Sequence, residues 1–431
     1  MLGSFSNIFK IGDLRRKVFF TLLMLVVFRI GTHVPVPNIN VDLLQGNTNN
    51  FVGLLDTFSG GALKKFSIFA MGIMPYITAS IIMQLLSMDV VPKFTQWSKE
   101  GEVGRRKIAQ VTRYGTIVLG FIQSLGMTYG FNRMMNGLVT DTSWSSFLLI
   151  ALTLTAGTAF LLWLGEQITE KGIGNGISII IMAGIVANIP GGIHTIYEMQ
   201  FNNPNSQVFF GVIKILLILL AVLLLIVGII YMQQGLRKIP VQYAKRVVGR
   251  KMYGGQSSHI PLKVNSAGVI PVIFAVSLVV FPSTIASFWV KPTGEGIANW
   301  IYNNFQVSAP LGMTLYAVLI IGFTFFYTFV QMNPAQMAEN MRKNGGYIPG
   351  IRPGTNTEVY ITRTLTRLTF AGAIFLTIIS LLPFAFSKMF GLPNTIYIGG
   401  TSILIMIGVV LDTMKQIESQ LIQRHYKGFI K

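Results

Sequence analysis

The chain has 431 residues, 52% of them hydrophobic and only 11% charged, with the apolar residues gathered in long uninterrupted runs. That pattern excludes an ordinary soluble multidomain protein and indicates a polytopic membrane protein, while the absence of cysteine removes disulfides, iron–sulfur clusters and thiolate catalysis. A formal net charge of +19 implies anionic partners, whether lipid headgroups, nucleic acid or acidic protein.

At the N-terminus, Arg15, Arg16 and Lys17 precede the run VFFTLLMLVVF. No small-residue cleavage site follows, so the run reads as a retained first helix. Apolar runs predict ten spans, at about 18–36, 72–91, 114–131, 147–165, 176–189, 208–231, 267–288, 310–330, 368–386 and 396–414. An even number places both termini on one side. Most of the 34 basic residues fall in loops on that side, whereas Lys64, Lys65, Arg133, Lys214, Lys291 and Lys388 fall on the other and Arg29 lies inside the first span. The positive-inside rule makes both termini cytoplasmic.

Residues 51–91 organise the chain. Their first half is apolar yet carries Asp56, Lys64 and Lys65, charges that are costly against lipid. It therefore sits in protein or water, hinged at Gly60 and Gly61, and lines or blocks a path through the membrane. The second half, 72–91, is a true span with Pro75 near its start. The fifth span, 176–189, is shorter than a lipid-facing helix, follows the turn GIGNG, and is ended by Pro190, Gly191 and Gly192. Broken and short spans point to a transport path. Five spans on each side of a long basic connection suggest two halves of opposite orientation, 1–190 and 191–431.

Catalysis has little support. His33, His194, His259 and His425 are scattered, and neither HExxH nor a P-loop occurs. Glu166, Glu170 and Asp412 stand near span ends, and Arg29 reaches an interface or a neighbouring subunit. A secondary transporter for a small solute would need intramembrane carboxylates that this sequence lacks.

Ile73 and Ile77, and Ile177 and Ile181, are i,i+4 pairs on single helical faces near the starts of the two irregular spans. Such pairs are ordinarily core or lipid-facing residues; branched side chains closing a narrow waist would instead exclude water and ions without charge. The loops 233–264 and 331–367 are long and basic, serving either as topology and lipid determinants or as docking surfaces. Gln84 and Asn265, near span ends, would form a weak polar clasp if their helices were adjacent.

The runs FRIGTHVPVP, FSGGAL, SIFAMGIMPYITASIIMQLL, GEVGRRKIAQ, WLGEQITEKGIGNGISIII, PLKVNSAGVIP, GGYIPGIRPG and GGTSILI resemble the bacterial SecY family over almost the whole chain. The resemblance implies an all-α polytopic membrane protein of ten transmembrane helices, in two pseudo-symmetric inverted halves of five around an hourglass pore. It implies an apolar pore ring of Ile73, Ile77, Ile177, Ile181, Ile273 and Ile405. A plug near 51–61 would comprise Gly53, Leu54, Leu55, Asp56, Thr57 and Phe58, hinged at Gly60 and Gly61, with Lys64 and Lys65 in a water-filled outer funnel rather than seeking partners. Gln84 and Asn265 would belong to a lateral gate between the second and seventh spans, and Arg250, Lys251 and Arg352 to docking surfaces for SecA or the ribosome, its rRNA and its proteins. SecE, SecG, signal peptides, nascent chains and anionic lipids are the further partners implied. No cofactor, metal or catalytic residue is expected. The location implied is the bacterial cytoplasmic membrane.

Overall fold

Apolar runs wind into helices because a helix bonds its backbone N–H and C=O groups internally, which lipid cannot do for them. A computed structural model describes residues 11–41, 43, 56, 59–87, 90–135, 137–201, 208–243, 246–248, 251–253, 257–287, 296–307, 309–390 and 400–427. In chain order the helices are α1 (Gly12–Gly31), α2 (Met74–Leu86), α3 (Pro92–Lys99), α4 (Glu102–Met134), α5 (Trp144–Lys171), α6 (Gly176–Phe201), α7 (Val208–Gln234), α8 (Ile270–Ser287), α9 (Ile297–Asn304), α10 (Pro310–Gln331), α11 (Pro334–Lys343), α12 (Thr355–Phe390) and α13 (Gly400–Lys427). Among the described residues, six helices are long and apolar enough to cross a membrane: α5, α6, α7, α10, α12 and α13. The protein is therefore a multi-pass membrane protein.

Among the helices that depart from the expected spans, two bear on the site. α6 continues through Pro190 to Phe201 instead of stopping at 189. Pro190 is exposed there, and the apolar residues before it keep the helix seated. α2 has only 13 residues, with Pro75 in its first turn where a missing N–H costs nothing. The approach to it, residues 61–73, is a series of turns rather than helix.

Strands modify the all-α expectation. The loop 233–264 folds back as β1 (Leu236–Tyr243) against β4 (Ser257–Lys263), antiparallel from Leu236↔Lys263 to Gln242↔Ser257. The second long loop adds β5 (Gly346–Tyr347) to the other edge of β1. A separate hairpin pairs β2 (Arg246–Val248) with β3 (Lys251–Tyr253). Ile239 and Val241 alternate onto the buried face of β1, where with Leu262 they pack on Met341, Ile348, Ile361 and Leu365.

Side-chain packing divides the interior. One apolar cluster draws only on residues from Val36 to Leu154, another only on residues from Val222 to Leu411. A third joins them, bringing α1, α2, α5 and α6 against Ile405 and Val409 of α13 and Ile273 of α8. α8 also touches α2 and α4 along one seam, while α13 touches α6 along another. α7 is strongly apolar and mostly unburied, with Leu216, Leu219 and Leu224 outward, which suits lipid, while Ile229 packs inward.

Candidate pore and gate site

In the third cluster, isoleucines of α2, α6, α8 and α13 pack into one apolar body. Ile73 is the N-cap residue of α2 and Ile77 follows one turn later, its N–H donating to the Ile73 carbonyl at 3.1 Å. Ile181 comes from α6 and Ile273 from α8. With Ser59, Met71, Gly72 and Met74 they enclose a cavity of about 10 Å³. That is barely the space of one water, and walls offering a single hydroxyl give a water too few partners to stay. Ile177 and Ile405 belong to the same cluster, so all six isoleucines of the expected ring lie in one apolar body. An ion entering it would exchange hydration for hydrocarbon, at a cost of several kcal/mol.

Ser59, in the described segment 59–61, borders this cavity. Asp56 is buried, and its Oδ1 accepts from the N–H of Leu63 (3.1 Å), the N–H of Lys64 (3.2 Å) and the Ser59 hydroxyl (3.2 Å). Lys64 Nζ stands 3.6 Å from its other oxygen. This corrects the expectation that Lys64 seeks no partner: a buried carboxylate requires bonds and a countercharge, and Lys64 supplies the charge from a half-exposed position. Gly60 and Gly61 have φ of 71° and 86°, a left-handed conformation that glycine adopts at little cost. Asn188 Nδ2 donates to the Asp56 carbonyl at 3.1 Å, and Arg29 Nη1 to the Gly60 carbonyl at 2.8 Å. The expected plug residues Gly53, Leu54, Leu55, Thr57 and Phe58 lie outside the described residues.

The polar pair is not joined. α2 and α8 are adjacent, but Asn265 Nδ2 donates to its own loop, to the Gly268 carbonyl at 3.0 Å, and no bond links it to Gln84 among the described residues. Asn265 is buried, with its Oδ1 lacking a partner among the described residues. It borders a cavity of about 500 Å³ at the end of the bundle that carries the sheet, lined also by Asn175, Ser178, Gln233, Gln331 and Asp412. Sequence reasoning did not anticipate this chamber, because its walls come from five separated segments.

At the same end Arg113 of α4 and Glu166 of α5 form an ion pair at 2.5 Å. Glu166 was expected only to stand near a span end, and its partner comes from the neighbouring helix. Arg352 is exposed in the turn before α12, its carbonyl accepting from the Thr357 hydroxyl at 3.1 Å. Lys251 opens β3, and Arg250 lies outside the described residues. At the start of α5, Asp141 accepts bonds from the Ser143 hydroxyl and N–H and from the Ser146 hydroxyl, which hold its carboxyl below the ordinary aspartate value of 3.8. Among the described residues no three His, Asp or Glu side chains converge as metal ligands.

Comparison with known proteins gives concordant matches. The SecY family model matches residues 67–414. The chain is 62% identical to the protein translocase subunit SecY of Halalkalibacterium halodurans and 59% identical to that of Bacillus subtilis, each match covering all of both chains. Among solved structures it resembles one described as a protein conducting channel, with TM-score 0.61 and 19% identity over 97% of this chain and 95% of that one. It also resembles Sec61 in the canine ribosome–channel complex from the endoplasmic reticulum, with TM-score 0.59, 18% identity and the same coverage. At those identities the structures speak to the fold.

Proposed function

This chain belongs to the SecY family, and we propose that it is the pore-forming subunit of a protein-conducting channel. The observation that carries the reading is the convergence of Ile73 and Ile77, Ile177 and Ile181, Ile273 and Ile405 from α2, α6, α8 and α13 into one apolar body, in which Ile73, Ile77, Ile181 and Ile273 border a void of about 10 Å³. Branched apolar side chains can part around an extended polypeptide of any sequence and close behind it, sealing against ions by dehydration alone.

In this reading ten spans form two inverted halves, 1–190 and 191–431, around an hourglass pore. The segment 51–61 rests on the constriction as a plug. The seam where α8 meets α2 and α4 is the lateral gate through which signal peptides and membrane segments pass to lipid, with Gln84 and Asn265 as its polar residues; the adjacency of α2 and α8 supports it. The concentration of basic residues near the sheet end supports cytoplasmic termini in a bacterial inner membrane and attraction to anionic lipid. Arg250, Lys251 and Arg352 would dock SecA or the ribosome. The structural likeness to a channel in a ribosome complex supports the latter. SecE and SecG would complete the assembly. SecA, ribosomal elongation and the membrane potential would supply the energy, since the sequence carries no P-loop.

Vesicles reconstituted with this subunit, SecE, SecG and SecA test the proposal. An unfolded secretory precursor should become protease-protected on addition of ATP. A precursor that stays fully accessible while the assembled complex is intact contradicts it.

A further inference from the structure

Two side chains from separate helices hold the segment whose Ser59 borders the apolar cavity. Arg29 lies near the end of α1, in the apolar sequence VVFRIG, and its guanidinium reaches the Gly60 carbonyl at 2.8 Å. Asn188 on α6 holds the Asp56 carbonyl at 3.1 Å. Between these two bonds Gly60 approaches α6 so closely that a Cβ built on it would stand 2.9 Å from Gly184 Cα. The turn's Ser59 borders the void it shares with Ile73, Ile77, Ile181 and Ile273.

We propose that Arg29 and Asn188 are positioning residues that pin this turn over the apolar constriction, and that the resting seal depends on their two backbone-directed bonds. Both donors address carbonyls, so the grip fixes the position of the backbone whatever side chains the turn carries. Departure of the turn removes the Gly60 carbonyl from the Arg29 guanidinium and the Asp56 carbonyl from the Asn188 amide, and each lost bond weakens the hold on the closed position. The inference rests on the channel reading above.

The test is resting ion conductance of the complete complex in planar bilayers, with Arg29→Gln, Asn188→Ala and the ring variant Ile77→Ser/Ile181→Ser measured in parallel. Loss of one such bond at a partly exposed site should raise the resting leak about fivefold, and the double variant Arg29→Gln/Asn188→Ala should leak more. Gly60→Ala, which pushes the turn off α6 without touching either donor, should leak as well. Thermal unfolding of the Arg29 and Asn188 variants should stay at the wild-type temperature; a leak that rises only in step with lost stability would make the two residues structural and overturn the inference. If the ring variant leaks while the Arg29 and Asn188 variants seal like wild type, the pinning role fails and the channel reading stands. Should the ring variant also stay sealed, the channel reading itself fails.

Discussion

Arg113 Nε lies 2.5 Å from Glu166 Oε1, tying α4 to α5 at the sheet end of the bundle. The side chains are 51% and 33% exposed, so water screens much of the attraction. A double-mutant cycle with Arg113→Gln and Glu166→Gln, read by thermal unfolding in detergent, should return a coupling of about 1 kcal/mol. The coupling should shrink as salt is added. A value near zero at low salt would mean that the pair is a bystander to the many apolar contacts between these helices.

At the start of α5, Asp141 makes stability depend on pH. Its folded-state pKa is depressed by the bonds from Ser143 and Ser146. The contribution is therefore complete above the unfolded value and is lost as pH falls through the lower folded value. Protection factors of the amides at residues 143–147, taken against intrinsic exchange at each pH, should be high at neutral pH and fall on acidification below 3.8. Asp141→Asn should exchange faster at neutral pH and lose the dependence. Unchanged protection in that variant would show that the neighbouring serines, not the carboxylate, organise the helix start.

Pro190 sits inside α6, where it gives up one backbone bond. Replacing it with alanine restores the donor and should stabilise the protein by up to about 3 kcal/mol, visible as a higher unfolding temperature. A fall in that temperature would instead indicate that the proline ring shapes the helix in a way the apolar neighbours need.

That proline also shows what the sequence could and could not convey. Hydropathy located α7 and α10 nearly end to end, because their lipid-facing stretches and their helices coincide. It cut α4, α12 and α13 short, because their polar turns continue past the apolar run. In α12 those turns bury Ile361 and Leu365 against the sheet. Pro190 with Gly191 and Gly192 read as a stop, yet the helix continues through all three. The alternation of Ile239 and Val241 was a legible strand signal, obscured by Pro240 between them. For the site, six isoleucines were named by motif position and stand together in the fold. The partner of Arg29 was not legible, because a backbone carbonyl such as that of Gly60 has no residue signature, and the Asp56–Lys64 pair was misread for want of knowing which charge was buried.

The measurement closest to the central claim is photocrosslinking from the ring to a secretory chain arrested during transport. Probes at Ile77, Ile181, Ile273 and Ile405, with probes at Leu216, Leu219 and Leu224 on the outer face of α7 for comparison, separate a central path from a lipid-facing one. The account predicts crosslinks at all four isoleucines and none along α7. Crosslinks along α7 with none at the isoleucines would contradict it.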